Sequence, residues 1–232
     1  MIECFYDLHI HTGLSPCCED DMSPNNIVNM AIIKGLDIIA ITDHNSALNV
    51  EVTIEVAKNT NLLVIPGIEV ESFEGIHLLC YFKTVSELMQ FAKIVDDYLP
   101  NIKNDETLWG KQLIFNEDDE IIAIKDKALL NSVNLKIDEI INLTREKGGI
   151  VIPAHVNRFN NSILTILGFI PKDLPIAGIE VANNEELKDL NYYRIIRNSD
   201  AHFLGHISER INKIILPEKS LNAFFDYFGD KS

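Results

Sequence analysis

His9 and His11 stand two residues apart in YDLHIHTGLSP (residues 6–16), behind Asp7 and ahead of a break at Gly13 and Pro16. Side chains on a strand alternate between faces, so Asp7, His9 and His11 are expected to share one face while Tyr6, Leu8 and Ile10 pack on the other. Two preset imidazoles and a carboxylate at a strand end are what a metal site needs. The pattern recurs along the chain. His44 follows LDIIAIT in ITDHNS, His155 follows IVIP in IPAHVNR, and Asp200 and His202 follow RIIRN in NSDAH, while Glu69 ends the run LLVIPGIEV. Only His77 begins its run, IHLLCYF, instead of ending it. Six histidines with Glu69 and Asp200 are too many donors for one tetrahedral ion and suit two or three ions with shared ligands. Imidazole mixed with carboxylate favours zinc, iron or manganese over calcium or magnesium. Asp7 and Asp43 read as partners that fix the tautomers of neighbouring imidazoles.

These residues must be positioned by the elements around them. Strands are expected at 3–11, 36–42, 62–70, 76–82, 150–154, 177–182, 193–198 and 211–217. Helices are expected at 23–34, 47–59, 86–98, 136–147, 161–167, 184–190 and 219–228. Ser23-Pro24 offers an N-cap and an N1 proline to the first helix, which Gly35 ends. Repeated β-then-α units predict a single α/β domain with a mostly parallel sheet, closed into a small barrel. Donors at the carboxyl ends of successive barrel strands converge on one mouth. Residues 100–135 break the pattern: they are polar, contain NEDDE and fit an inserted hairpin, KQLIF turning back through IIAIK. That hairpin is expected to be either a lid over the mouth or a structural flap.

The chain has 232 residues, 47% of them hydrophobic, which supports a sizeable core. No stretch approaches the roughly 18 apolar residues of a membrane span. MIECFYD carries no basic region ahead of an apolar run, and the four cysteines (Cys4, Cys17, Cys18 and Cys80) form no CxxC pair, so a reducing cytoplasm is expected. A net charge of −15 argues against an extended nucleic-acid partner and for a small phosphorylated substrate whose charge is met by bound cations.

DLHIHT, ITDH, PGIEV, the downstream His77, PAH and SDAH occur in an order and spacing that resembles the PHP (polymerase and histidinol phosphatase) superfamily, from residue 7 to residue 202. The resemblance implies a distorted (β/α)7 TIM-like barrel, a two- or three-metal site and phosphoesterase activity. Matched by position, His9, His11, Glu69 and Asp200 would hold one ion, and Glu69, His77 and His155 a second, with the Glu69 carboxylate bridging. His44 and His202 would hold a third. The family's remaining third-site ligand is an aspartate or histidine; the aspartate position falls on Pro16, and the histidine position on Cys17. Cys17 is therefore the candidate, with Asp20 and Asp21 as alternatives.

A hydroxide held between the first two ions is the expected nucleophile, since metal binding lowers the pKa of water from 15.7 to about 7. Arg158, three residues past His155, is placed to fork onto a phosphate oxygen. His206, four past His202, is a candidate to protonate the leaving oxygen or bind substrate. Two other readings stand beside this one: a non-catalytic metal-binding or regulatory module, and an amidohydrolase-like barrel cleaving C–N bonds. Oligomeric state is not legible in the sequence.

Overall fold

Apolar strands and amphipathic helices form close to where their sequence periods place them. The computed structural model describes residues 1–183, 190 and 192–229, so the helix expected near 184–190 lies outside the described residues save for Leu190. In chain order, β1 (Ile2–Ile10), α1 (Pro24–Ile33), β2 (Ile38–Ile41), α2 (Val50–Ala57) and β3 (Leu63–Glu71) make two parallel crossovers. β4 (His77–Tyr81) and α3 (Val85–Tyr98) follow, then α4 (Glu106–Trp109), β5 (Leu113–Phe115) and β6 (Ile121–Ile124). The chain continues through α5 (Ile137–Glu146), β7 (Ile150–Pro153), α6 (Ile163–Leu167), β8 (Ile179–Glu180), β9 (Ile195–Ile196), β10 (Lys213–Leu216) and α7 (Leu221–Gly229).

The principal sheet runs β10-β1-β2-β3-β4-β7 and curls into a half-barrel. Its inner face carries Tyr6, Leu8, Ile38, Ala40, Ile65 and Tyr81, closed below by Phe224, Phe225 and Phe228 of α7. Its outer face carries Ile10, Ile39, Ile41, Ile68 and Val151 against the helices. The expected distorted (β/α)7 barrel with a mostly parallel sheet is met in part: the α/β half-barrel forms, but its strands are not all parallel and seven do not close into one sheet among the described residues. β4 is antiparallel to both β3 and β7, and β10 is antiparallel to β1. The reason is length: only Ser72 to Ile76 join β3 to β4, whereas a parallel crossover takes about a dozen residues or more. Between β7 and β1 stands the short parallel pair β8–β9. Backbone bonds from Ala177 N to Val151 O (2.9 Å) and from His11 N to Ala201 O (3.0 Å) tie that side to its neighbours without continuing the ladder.

The strict alternation expected for β1 also fails, and usefully. Asp7 pairs with Ile39 and Ile10 with Ile41, three steps on β1 against two on β2, so β1 carries one extra residue there. Such a bulge re-aims the side chains beyond it. Asp7 is left on the other side from His9, where its carboxylate accepts from Ser199 N (3.1 Å) and Ser208 N (2.8 Å) and fixes no imidazole.

The β5–β6 hairpin packs against the loop after β1 and against Asn49 at the start of α2. Leu113 N donates to Gly13 O at 2.7 Å, and Asn49 bridges Leu113 O and Phe115 N. Its turn caps a distant helix. Ser23 makes no side-chain cap to α1; instead Asp119 accepts from Asn25 N (3.0 Å) and from Ser23 Oγ (2.6 Å). Asp119→Ala is expected to cost about 1 kcal/mol, the usual value of a lost N-cap, read as a lowered midpoint in urea unfolding. An unchanged midpoint would deny Asp119 that role. Among the described residues, no helix is long and apolar enough to cross a membrane.

Candidate metal centre

Glu69, at the end of β3, is the hub. Its Oε1 lies 3.2 Å from His9 Nε2, 3.0 Å from His77 Nδ1 and 3.4 Å from His155 Nε2. Its Oε2 lies 2.9 Å from His44 Nδ1 and 3.4 Å from His11 Nε2. Asp200 Oδ1 stands 3.2 Å from His9 Nε2 and 3.1 Å from His11 Nε2, which are themselves 3.1 Å apart. Parallel β1, β2 and β3 deliver their residues at carboxyl ends, and β4, being reversed, delivers His77 to the same mouth from its start, where it faces Glu71 across the ladder. The lone histidine that began its strand is thereby explained. Asp200 and His155 have positive φ (52° and 29°), a conformation side chains other than glycine seldom adopt. Backbone strain of this kind concentrates at functional sites.

The donor set fits metal ions. Ligands held about 2.1 Å from one tetrahedral ion lie roughly 3.4 Å from each other, and the atoms above are spaced at 2.9–3.4 Å. Hydrogen bonding alone does not satisfy them: His155 Nδ1 is buried without a hydrogen-bond partner, and Glu69 Oε2 and Asp200 Oδ1 face imidazole nitrogens at 2.9–3.4 Å without a well-formed hydrogen bond. Orphaned polar atoms of that kind are costly unless a ligand meets them. Three groups have ligand atoms within 4.8 Å of one another around this hub: His9–His11–Glu69, His44–Glu69–His77 and His11–His44–His202.

The electrostatics follow from the crowding. Burial opposes the charge on Glu69 and Asp200, but His77, His9 and His44 hold Glu69 well below the usual carboxylate range, and His9 and His11 do the same for Asp200. Burial likewise opposes charge on His9, yet Glu180, Asp200 and Glu69 outweigh it and hold the imidazole well above its usual value. His11 goes the other way. Burial, with His202 and His44 beside it, pushes it down to about 3, which keeps it in the neutral form that ligates.

Of the other expected residues, Arg158 pairs with Asp200 and lines, with His44, His77, His155, Phe159, Asn160, Asn161 and His202, a cleft of about 350 Å³ over the hub. Cys17 joins Cys18 and His202 at the mouth, its thiol held below its usual range by the Cys18 hydrogen bond and, against burial, by His202 and His44. Asp20 and Asp21 do not join: both are exposed, and Asp20 pairs with Lys111 at 3.0 Å. His206 is not brought to the cleft either. The 3-10 turn Leu204–His206 carries it outward, where its exposed ring stacks on Phe203 with centroids 5.0 Å apart. Asp43 reaches His11 only through Ser15, which donates to Asp43 (2.7 Å) and lies 3.0 Å from His11 Nδ1.

Glu180 on β8 was missed. Both its oxygens lie 3.1 Å from His9 Nδ1, Oε2 accepts from His155 N at 2.7 Å, and Oε1 accepts from Asn198 Nδ2 at 2.7 Å. One buried carboxylate thus orients the His9 ring on β1 and holds the backbone of His155 just past β7. A signal existed, since GIEV occurs twice, at 67–70 and 178–181. Partners that orient metal ligands are typically worth 10–100-fold in metal affinity, so Glu180→Gln is expected to weaken zinc binding about that much. An unaltered affinity in a competitive chelator titration would remove Glu180 from the site.

The chain matches the PHP domain family over residues 7–208. It belongs to that family. An uncharacterized protein of Methanocaldococcus jannaschii is 25% identical over 149 residues, which are 64% of this chain and 16% of that protein. Endonuclease Q from Pyrococcus furiosus, described as lesion-specific, superposes with a TM-score of 0.71 at 20% identity, covering 100% of this chain and 57% of that one. A protein from Bifidobacterium adolescentis assigned as a metal-dependent phosphoesterase superposes with a TM-score of 0.61 at 16% identity, covering 89% and 92%. This PHP chain therefore spans only part of the length of endonuclease Q and of the archaeal relative.

The expectation that a charge of −15 argues against an extended nucleic-acid partner is overturned. Endonuclease Q has been captured with a 27-mer duplex, an abasic lesion at its active site, in a structure that covers 100% of this PHP chain with a TM-score of 0.71. Net charge averages over a whole surface, whereas binding responds to the local field, which ions at a mouth can reverse.

Proposed function

We propose that this chain is a metal-dependent hydrolase of phosphoester bonds in nucleotides or nucleic acids. The observation that supports this most is the convergence of five imidazoles on the Glu69 carboxylate beneath a cleft that also carries Arg158. His9, His11, Glu69 and Asp200 would hold one ion, and Glu69, His77 and His155 a second. His44, His202 and Cys17 are the donors for a third. When bound, such ions lower the pKa of a water ligand and neutralise charge on phosphoryl oxygens. The protein's own residues do the rest. Glu69 and Asp200 supply the negative charge that concentrates cations in the cleft, and Glu180 and Ser15 orient His9 and His11. The Arg158 guanidinium stands at the cleft beside Asp200, where its fork of donors suits a phosphate oxygen. Phe159 lines the same cleft with 85% of its surface exposed, a free aromatic face of the kind on which nucleobases stack. That pairing of guanidinium and ring favours a nucleotide over a simple phosphate ester.

The test is hydrolysis by the chelator-stripped chain, with and without added manganese or zinc. Nucleotides, single strands, an abasic duplex and p-nitrophenyl phosphate esters serve as substrates, and an amide panel as contrast. Metal-dependent cleavage of the nucleic-acid or nucleotide phosphates is expected. Absence of cleavage of every phosphoester by the metal-loaded chain would overturn the proposal.

A further inference from the structure

The loop between β1 and α1 brings two free thiols to the rim of the centre, apart from the carboxylates. Ligand atoms of Cys17, Cys18 and His202 all lie within 4.8 Å of one another, and His202 belongs with His11 and His44 to an adjoining group. The loop is firmly held. Cys18 N donates to Ser15 O (2.9 Å), Glu19 N to His202 O (3.0 Å), and Gly13 N to Met22 O (2.8 Å). Gly110, between α4 and β5, presses on the same turn so closely that a Cβ there would come within 2.1 Å of Pro16 O. His202 is set as a ligand as well: its Nδ1 lies 2.8 Å from the Asp200 carbonyl oxygen, an acceptor that fixes the proton on Nδ1. The lone pair is then on Nε2, as in imidazoles whose second nitrogen ligates.

We propose that Cys17 and Cys18, together with His202 and His44, form a dithiol–imidazole site that takes a thiophilic divalent ion of the zinc or cobalt class and discriminates against manganese and magnesium. The inference rests on the metal-centre reading above and deepens it, by making the rim site chemically different from the sulfur-free donors around Glu69. Thiolates are soft ligands that favour zinc over manganese, whereas carboxylate and imidazole accept a wider range of ions. Binding displaces the thiol protons to solvent and forms two sulfur–metal bonds with no change in oxidation state. A second cysteine beside the one that fills the family's third-site position supplies a full half of a tetrahedral shell.

Cobalt(II) titration of the intact, metal-free chain tests this without recourse to turnover. A sulfur-to-cobalt charge-transfer absorption in the near ultraviolet is expected in the unmodified protein. Stoichiometric zinc should bleach it, and a large excess of manganese should not. In a Cys17→Ser/Cys18→Ser variant the band should vanish and bound cobalt should fall by one ion per chain, with the remaining ions retained. Cobalt bound with visible ligand-field bands but no charge-transfer band in the unmodified protein would overturn the dithiol site and leave the Glu69 centre standing. No cobalt binding at all would overturn both. The unmodified protein's spectrum decides the matter even if the variant fails to fold.

Discussion

Glu69→Gln should abolish metal-dependent turnover, lowering kcat/KM by more than about 10³-fold, since a single hydrogen-bond donor lost from a charged transition state already costs 10²–10³-fold. The substitution keeps the shape of the side chain and removes its charge. Five imidazoles face that charge, on His9, His11, His44, His77 and His155. An amide offers one oxygen and one NH₂, so it cannot bridge two cations, and its NH₂ group would confront nitrogens that need to ligate. Bound metal, counted by mass spectrometry after equilibration with zinc, should drop with the activity. The substitution leaves the apolar cluster of Tyr6, Leu8, Ile65 and Tyr81 unaltered in composition and volume, so the folded chain should still be recovered. Full turnover with metals retained would exclude Glu69 as the shared ligand.

Much of this centre was legible because its residues stand at ends of apolar runs, and run ends survive errors of a residue or two in strand boundaries. His9, His11, His44, Glu69, His155, Asp200 and His202 all meet at the mouth for that reason. What was not legible depends on geometry between strands. The bulge between Asp7 and Ile10 is a property of how β1 pairs with β2, so period-two reasoning put Asp7 with the histidines when it bonds to Ser199 and Ser208 instead. The reversal of β4 could have been read from the short link after Glu71, which cannot span a crossover; expecting a mostly parallel sheet hid it. Glu180 looked like one more acidic residue in a strand, because nothing local shows that β8 lies beside β7 with its carboxylate against His9 and His155. The capping of α1 by Asp119 is likewise a contact over 94 residues. Net charge failed for another reason: it is a sum over the surface and carries no position.

Adding zinc or manganese to the chelator-stripped chain should raise its stability strongly. The donors come from His9 to His202, so the unfolded chain cannot assemble them, and binding energy to the folded form becomes folding energy. At a free ion concentration 1,000 times Kd, a single ion adds about 4.1 kcal/mol. For a chain of 232 residues that corresponds to a rise in Tm of roughly 8–16 °C. The size of the shift also separates local from global effects. Asp119→Ala should lower Tm by the same amount with and without metal, because its contacts to Ser23 and Asn25 share no partner with the centre and distant substitutions add. Glu180→Gln should instead shrink the metal-induced rise, since it loosens His9 and His155 together, and Glu69→Gln should nearly remove it. Differential scanning of the three variants against the unmodified chain, with and without ions, gives the comparison. A Tm that ignores zinc, manganese and cobalt at millimolar concentration would mean that these buried carboxylates and imidazoles serve one another and not a metal.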